Sequence, residues 1–379
     1  MENALRPSSI LTRMPCALRI NRCLGISFAF AAIFAAARAR AADEKHPSPT
    51  TDPSRRIAVG VYFNEAKIYA PADPQAFKDL EAQTGRLARV YMNFQLWVEP
   101  WSRFSTRLAD NAIKNGGVYM VVWMPSGHNV DARSDPDWTC AAVASGKHDD
   151  YIRPYATDVA RWGAADHKPL MIRFAHEMNG GWYLYGVAFN KDGQRHNGNT
   201  PADYVAMWRH VWQIFHDAGA TNVQWVWSPN ILYINAANTR EQAVADLAAL
   251  YPGDAFVDWI GLDGYNNGIK SKWKSFADLY RPSYDAITKL SARPLMVAEC
   301  GCTEEGAPPG QSKAAWITQA YLTDIPQQFP RIMLVNWFDR DKSKLGEADW
   351  RFNSSPAALE AYRAAVNAPL YQGDLPTKR

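Results

Sequence analysis

Two glutamates carry the most suggestive chemistry in this 379-residue chain. Glu177 follows an apolar run in "PLMIRFAHEMNGGW" (169–182), and Glu299 closes another, "PLMVAE" (294–299). Paired carboxyls at the ends of two buried strands suit acid–base work on a bond held between them. One, protonated, gives a proton to a leaving oxygen; the other, ionised, stands opposite, which is what glycoside hydrolysis needs. A separation of about 5–5.5 Å would make the second carboxylate a nucleophile and retain the anomeric configuration. The neighbourhood agrees. His176 adjoins the first glutamate, Arg173 precedes it, and Trp182, Tyr183 and Tyr185 follow. Asp263 and Tyr265 end a third apolar run, Trp337 lies near the end of a fourth, and His128 follows a fifth. A core segment does not require this mixture; a flat, hydroxyl-rich ligand does. Single members have plainer readings. Arg173 and Asp263 could form a structural ion pair, or Arg173 could keep a carboxylate charged and oriented. His176 reads as a positioning or packed residue, and Trp182 and Trp337 read as core or as sugar platforms.

Other hydrolytic chemistries fail on spacing. A zinc-protease helix needs histidine four residues after His176, where Gly180 stands, and the eight histidines show no other metal spacing. A serine hydrolase needs a G-x-S-x-G elbow, and Ser126 in "MPSGHN" does not supply one. The glutamate pair calls for no metal and no cofactor.

These residues sit on a repeating pattern. Eight short apolar, β-branched or aromatic runs occur at 57–63, 87–94, 117–124, 169–175, 223–228, 257–265, 294–299 and 332–338. Several are almost continuously apolar, as in strands buried on both faces. Helical stretches separate them, including 74–85, 151–166, 201–219 and 312–325; in the third, Tyr204, Trp208, Val211, Trp212 and Phe215 recur at helical spacing. Eight strands alternating with helices predict an α/β fold, a single (β/α)8 barrel over residues 56–370. A doubly wound open sheet would call for a glycine-rich loop after an early strand, and "VGVYFNEAK" has none. In a parallel barrel, catalytic groups lie at the C-terminal ends of the strands, where these candidates fall.

The N-terminus has a different composition. Arg6, Arg13, Arg19 and Arg22 precede the apolar stretch 24–37, and small residues follow in "ARARAAD". This predicts a cleaved signal peptide over 1–41, with Met14 as an alternative start, and a secreted or periplasmic product. Residues 42–55 read as a flexible, proline-rich leader. Residues 1–41 contain six Arg and one Glu, so the remainder has 35 basic and 37 acidic residues. Its net charge of −2 gives no basis for nucleic-acid binding, and no stable membrane insertion is expected. Oligomeric state is not legible. Cys140, Cys300 and Cys302 remain; export permits one bridge, joining Cys140 to one of the other two.

At the motif level the chain resembles glycoside hydrolase family 26. "HEMNGGW" (176–182) is similar to that family's H-E-x-N-G-x-W signature, and "VAECG" (297–301) to its nucleophile strand. "DGYN" (263–266) and "NWF" (336–338) fit its tyrosine and tryptophan strands. The resemblance covers about residues 57–365. It implies a retaining endo-glycoside hydrolase with Glu177 as acid/base and Glu299 as nucleophile. His176 would shape the sugar site, Tyr265 would hydrogen-bond the nucleophile, and Trp182 and Trp337 would stack on sugars. Aromatic walls would raise the Glu177 pKa, while Tyr265 and Arg173 would favour a charged Glu299. The implied partner is a β-linked polysaccharide, with β-1,4-mannan first and mixed-linkage β-glucan, β-1,3-xylan or a bacterial exopolysaccharide as alternatives. A non-catalytic polysaccharide-binding barrel is the reading of another class; it would be expected to lack one carboxylate.

Overall fold

The apolar runs form the eight strands of a closed parallel barrel, each hydrogen-bonded to its sequence neighbours and the eighth to the first. The computed structural model describes residues 54–62, 74–97, 103–127, 134–164 and 166–375. The strands are β1 Ala58–Tyr62, β2 Val90–Leu96, β3 Val118–Met124, β4 Leu170–Phe174, β5 Val223–Trp227, β6 Trp259–Asn266, β7 Leu295–Cys302 and β8 Ile332–Phe338. β1, β3, β4, β5 and β7 are buried at every residue. That explains their unbroken apolar character, because the barrel interior covers one face and the helices the other.

The helical layer among the described residues comprises α1 Pro74–Thr84, α2 Thr106–Lys114, α3 Cys140–Ala144, α4 Asp149–Ala164, α5 Pro201–Asp217, α6 Arg240–Ala249, α7 Phe276–Leu290, α8 Lys313–Gln319, α9 Ile325–Gln328 and α10 Pro356–Asn367. A π-helical turn, Ala320–Asp324, joins α8 to α9, so the stretch predicted as one helix over 312–325 is interrupted. α5 shows how sequence sets a helix in place. Thr200 and Asp203 form a reciprocal capping box, Pro201 opens the first turn, and Gly219 follows the last with φ 74°. Tyr204, Trp208, Val211 and Phe215 are buried on its inner face. Trp208 packs on Phe174 and Phe215 on Trp225, while Trp212 is only partly buried and stacks on His216.

Some expectations fall elsewhere. The predicted signal segment and residues 42–53 of the leader lie outside the described residues. Arg55, assigned by sequence to the flexible leader, is instead tied to the barrel: its guanidinium donates to the carbonyls of Phe329, Ile332 and Pro326. The expected cysteine bridge is absent. Cys140, Cys300 and Cys302 are free and buried, and the Cys140 thiol donates to the Tyr185 carbonyl at 3.4 Å. Among the described residues no helix is long and apolar enough to cross a membrane.

Candidate active site

The site is built where β4, β6 and β7 end. Inside the barrel Arg173 reaches across from β4, donating from Nη1 to Glu299 Oε1 and from Nη2 to Asp263 Oδ2. All three side chains are essentially buried. Arg173 therefore pairs with both carboxyls, Asp263 and Glu299, at once. Burial opposes its charge, but the Asp263 and Glu299 carboxylates outweigh that and hold the guanidinium above the usual arginine range. Ser228 Oγ donates to Asp263 Oδ1 at 3.1 Å, completing the aspartate's shell.

Glu299 reaches this position through an irregularity in β7. Leu262 pairs with Val297, but the next residue, Asp263, pairs with Glu299, leaving Ala298 unmatched. Such a bulge re-aims side chains within a strand, and it brings Glu299 to the interior beside Asp263. Tyr265, two residues along β6 from Asp263, donates its hydroxyl to Glu299 Oε2. Glu299 thus receives a guanidinium on one oxygen and a phenol on the other. Its backbone is pinned as well, because Tyr280 of α7 donates to the carbonyls of Gly264 and Glu299, at 2.8 and 2.9 Å.

Glu177 lies on the turn beyond β4 and is 8% exposed. Its Oε2 accepts from Trp182 Nε1 at 2.6 Å and its Oε1 from Asn230 Nδ2 at 2.5 Å. Burial first, then the Glu299 charge, push this carboxyl up to about 7; the Asn230 and Trp182 hydrogen bonds and the Arg173 charge pull the other way. The Trp182 ring lies over Gly180, where a Cβ would come within 2.4 Å of it, so that glycine is needed for a close approach. His176 is buried between Phe94 and Tyr183, with Nδ1 3.3 Å from the Tyr185 hydroxyl. Burial, then the Arg173 charge, hold its imidazole well below the usual histidine range, so it is neutral and serves packing and orientation.

The structure thus gathers Arg173, His176, Glu177, Trp182, Asp263, Tyr265 and Glu299 into one site. Trp337 does not join them. It is fully buried, donates Nε1 to the Trp350 carbonyl at 2.7 Å and packs on Trp316 and Tyr362 of the helical layer. A ring enclosed there cannot stack on a sugar, which corrects the expectation for this residue. Its neighbour Phe338 faces the mouth instead, stacked on Tyr62 and edge-on to Tyr265. His128 lies outside the described residues. Sequence reasoning missed Asn230, whose place is fixed by Asn179: the Asn179 amide donates to the Asn230 carbonyl and accepts from the Asn230 N–H, both at 2.9 Å. The N of "HEMNG" was visible, but its partner three residues past β5 carried no signal. Among the described residues no cluster of three or more His, Cys, Asp or Glu side chains is arranged to hold a metal ion.

Comparison with known proteins agrees with this architecture. The sequence model of glycosyl hydrolase family 26 matches residues 142–306. The chain is 32% identical over 301 residues to endoglucanase H of Acetivibrio thermocellus, covering 78% of this chain and 29% of that protein. It is 27% identical over 190 residues to mannan endo-1,4-beta-mannosidase A and B of Caldalkalibacillus mannanilyticus, covering 49% of this chain and 31% of that one. The chain therefore spans about a third of the length of these curated relatives. Among solved structures, a Cellulomonas fimi endo-beta-1,4-mannanase double mutant shares the fold with a TM-score of 0.60 at 22% identity, over 83% of this chain and 71% of that one. The segment that matches glycosyl hydrolase family 26 runs from α3 through both Glu177 and Glu299, so the two carboxyls of the site lie inside it.

Proposed function

We propose that the chain is a retaining endo-glycoside hydrolase acting on a β-linked polysaccharide, with Glu177 as acid/base and Glu299 as nucleophile. The observation that carries this reading is the asymmetry of the two carboxyls. Glu177 is buried and pushed up to about 7, so it holds a proton to give. Glu299 accepts from Arg173 and Tyr265, the donors a carboxylate nucleophile requires. In the first step Glu299 attacks the anomeric carbon while Glu177 protonates the departing glycosidic oxygen. In the second, Glu177 takes a proton from water as the water displaces Glu299 from the glycosyl–enzyme ester. Trp182 orients the acid and offers its ring to a sugar face.

β-1,4-Mannan is the first substrate. β-Glucan is the second, favoured by the longer match, because the relative aligned over 78% of this chain is named an endoglucanase. Both carboxylates are present and paired with suitable donors, which argues against a barrel that only binds polysaccharide. The test is reducing-end release from β-mannan, glucomannan, mixed-linkage β-glucan, β-1,3-xylan and a bacterial exopolysaccharide, with Glu299→Ala alongside. Release from one substrate, lost in the variant, is expected; activity that survives Glu299→Ala removes the nucleophile assignment. The charged and apolar segments within residues 1–41 support export to the periplasm or medium.

A further inference from the structure

Glu177 stands on backbone that its residue types disfavour. Ala175 and Glu177 both have positive φ, 43° and 54°. Non-glycine residues persist there only when their surroundings over-determine them. The determinants can be named. Ala175 N donates to the Trp123 carbonyl of β3 at 3.0 Å, and Glu177 N to the Ser228 carbonyl beyond β5 at 2.7 Å. The carbonyl of Ala175 accepts from outside the barrel wall: the hydroxyl of Tyr204, in the first turn of α5, donates to it at 3.2 Å. Tyr204 is fully buried, and burial pushes its phenol well above the ordinary value, so it is a donor across the working pH range. The start of α5 is itself fixed. Besides the Thr200–Asp203 box, Asn199 donates to the carbonyls of Leu184 and Gly186, at 2.7 and 3.1 Å, and accepts from Cys140 N at 2.8 Å. The chain thus leaves the strained turn, runs through 178–200, and returns with a hydroxyl that holds the turn in place.

We propose that Tyr204 is a positioning residue for the acid/base. Its hydroxyl fixes the Ala175–His176 peptide, and with it the direction from which Glu177 reaches the leaving oxygen. This rests on the reading of Glu177 as the acid. A Tyr204 that merely filled the core beside Trp208 would affect stability but not proton delivery. Proton delivery has its own signature: a dinitrophenolate leaves without help, whereas a phenolate or sugar alkoxide needs the acid.

The experiment measures kcat/KM on phenyl and dinitrophenyl β-cellobiosides and β-mannobiosides for the full chain, Tyr204→Phe and Glu177→Ala, with a thermal melt of each. Tyr204→Phe is expected to lose about tenfold on the phenyl glycoside and less than about twofold on the dinitrophenyl one. Glu177→Ala should show the same pattern with a larger loss. Equal losses on both substrates for Tyr204→Phe, or no loss on either, overturn the positioning role. A Glu177→Ala protein without leaving-group dependence instead overturns the acid assignment, and the proposal with it. Should Tyr204→Phe fail to fold, Ala175→Gly, which widens the backbone freedom of the residue whose carbonyl Tyr204 holds, is expected to show the same selective loss; a uniform effect, or none, overturns the proposal.

Discussion

A carboxyl is ionised at neutral pH unless its surroundings disfavour the charge more than water would favour it. Glu177 meets that condition: it is buried against the charge of Glu299, and its pKa of about 7 exceeds the 4.5 of a free glutamate. The shift has a consequence for stability, because raised protonation in the fold is linked to folding. Below the unfolded value, folded and unfolded chains both hold the proton and nothing is lost. Between about 4.5 and 7 the unfolded chain releases its proton first, so stability falls as pH rises, by an upper bound of about 3 kcal/mol once the folded carboxyl has ionised. Glu177→Gln removes the titration. Its melting temperature should match the parent near pH 4 and exceed it by several degrees at pH 8; a difference independent of pH would rule out the raised pKa. Residue-level legibility in the sequence was uneven for a physical reason. Glu177 and Glu299 stood out because an acid at the end of a buried run is costly and conspicuous. Trp337 misled because type and position near a strand end were legible while the facing was not. In β8, Asn336 approaches Gly60 of the neighbouring β1 and Phe338 meets Tyr62, so Trp337 between them must face the helices.

At the scale of elements, all eight strands were legible to within three residues at either end, since two-sided burial writes most of them as nearly continuous apolar runs. The irregularities were not, because a one-residue slip such as that at Ala298 leaves composition unchanged and shows only in the pairing. The seam closing the barrel, β8 against β1, offers a sharper test of packing. Gly60 pairs with Asn336 in register, and a Cβ on Gly60 would lie 1.5 Å from Asn336 Oδ1 and 2.9 Å from Val90 Cβ. The Asn336 carboxamide is buried and finds no hydrogen-bond partner among the described residues, so it occupies the space without being held there. Gly60→Ala should therefore destabilise by about 1–3 kcal/mol through overpacking. In an Asn336→Ala background the larger clash is gone and only the Val90 contact remains, so the penalty should shrink. Urea melts of the four proteins in a double-mutant cycle would show coupling between the sites; strict additivity would mean that β1 shifts and does not collide.

For the whole molecule, a closed barrel removes free sheet edges, and the segments that flank this one, Ile57 before β1 and Leu370–Gly373 after α10, pair with each other at the end of the barrel where β1 begins, opposite the site. Ile57 N donates to the Leu370 carbonyl at 2.7 Å, and Gly373 N donates back to the Ile57 carbonyl at 3.0 Å. Arg55 adds a charged clasp. Its Nη2 is 2.8 Å from both the Phe329 and Ile332 carbonyls, at the turn that feeds α9 into β8, and Nη1 is 3.3 Å from the Pro326 carbonyl. These carbonyls border the start of β8, the strand whose pairing with β1 closes the barrel. Hydrogen bonds from a charged donor contribute about 1.5–3 kcal/mol each when well formed, and three on one side chain share a single ordering cost. Arg55→Ala should thus lower stability by about 2–4 kcal/mol, with no change in kcat/KM below the melting transition, because the site at the opposite end is held by Arg173 and its partners. Arg55→Lys should recover only part of the loss, since one ammonium cannot span carbonyls arranged for a planar fork. A melt of Arg55→Ala that overlays the parent would return Arg55 to the leader and move the start of the folded unit to Ile57; a loss of activity in step with stability would show that β8 transmits the damage along its length to the mouth.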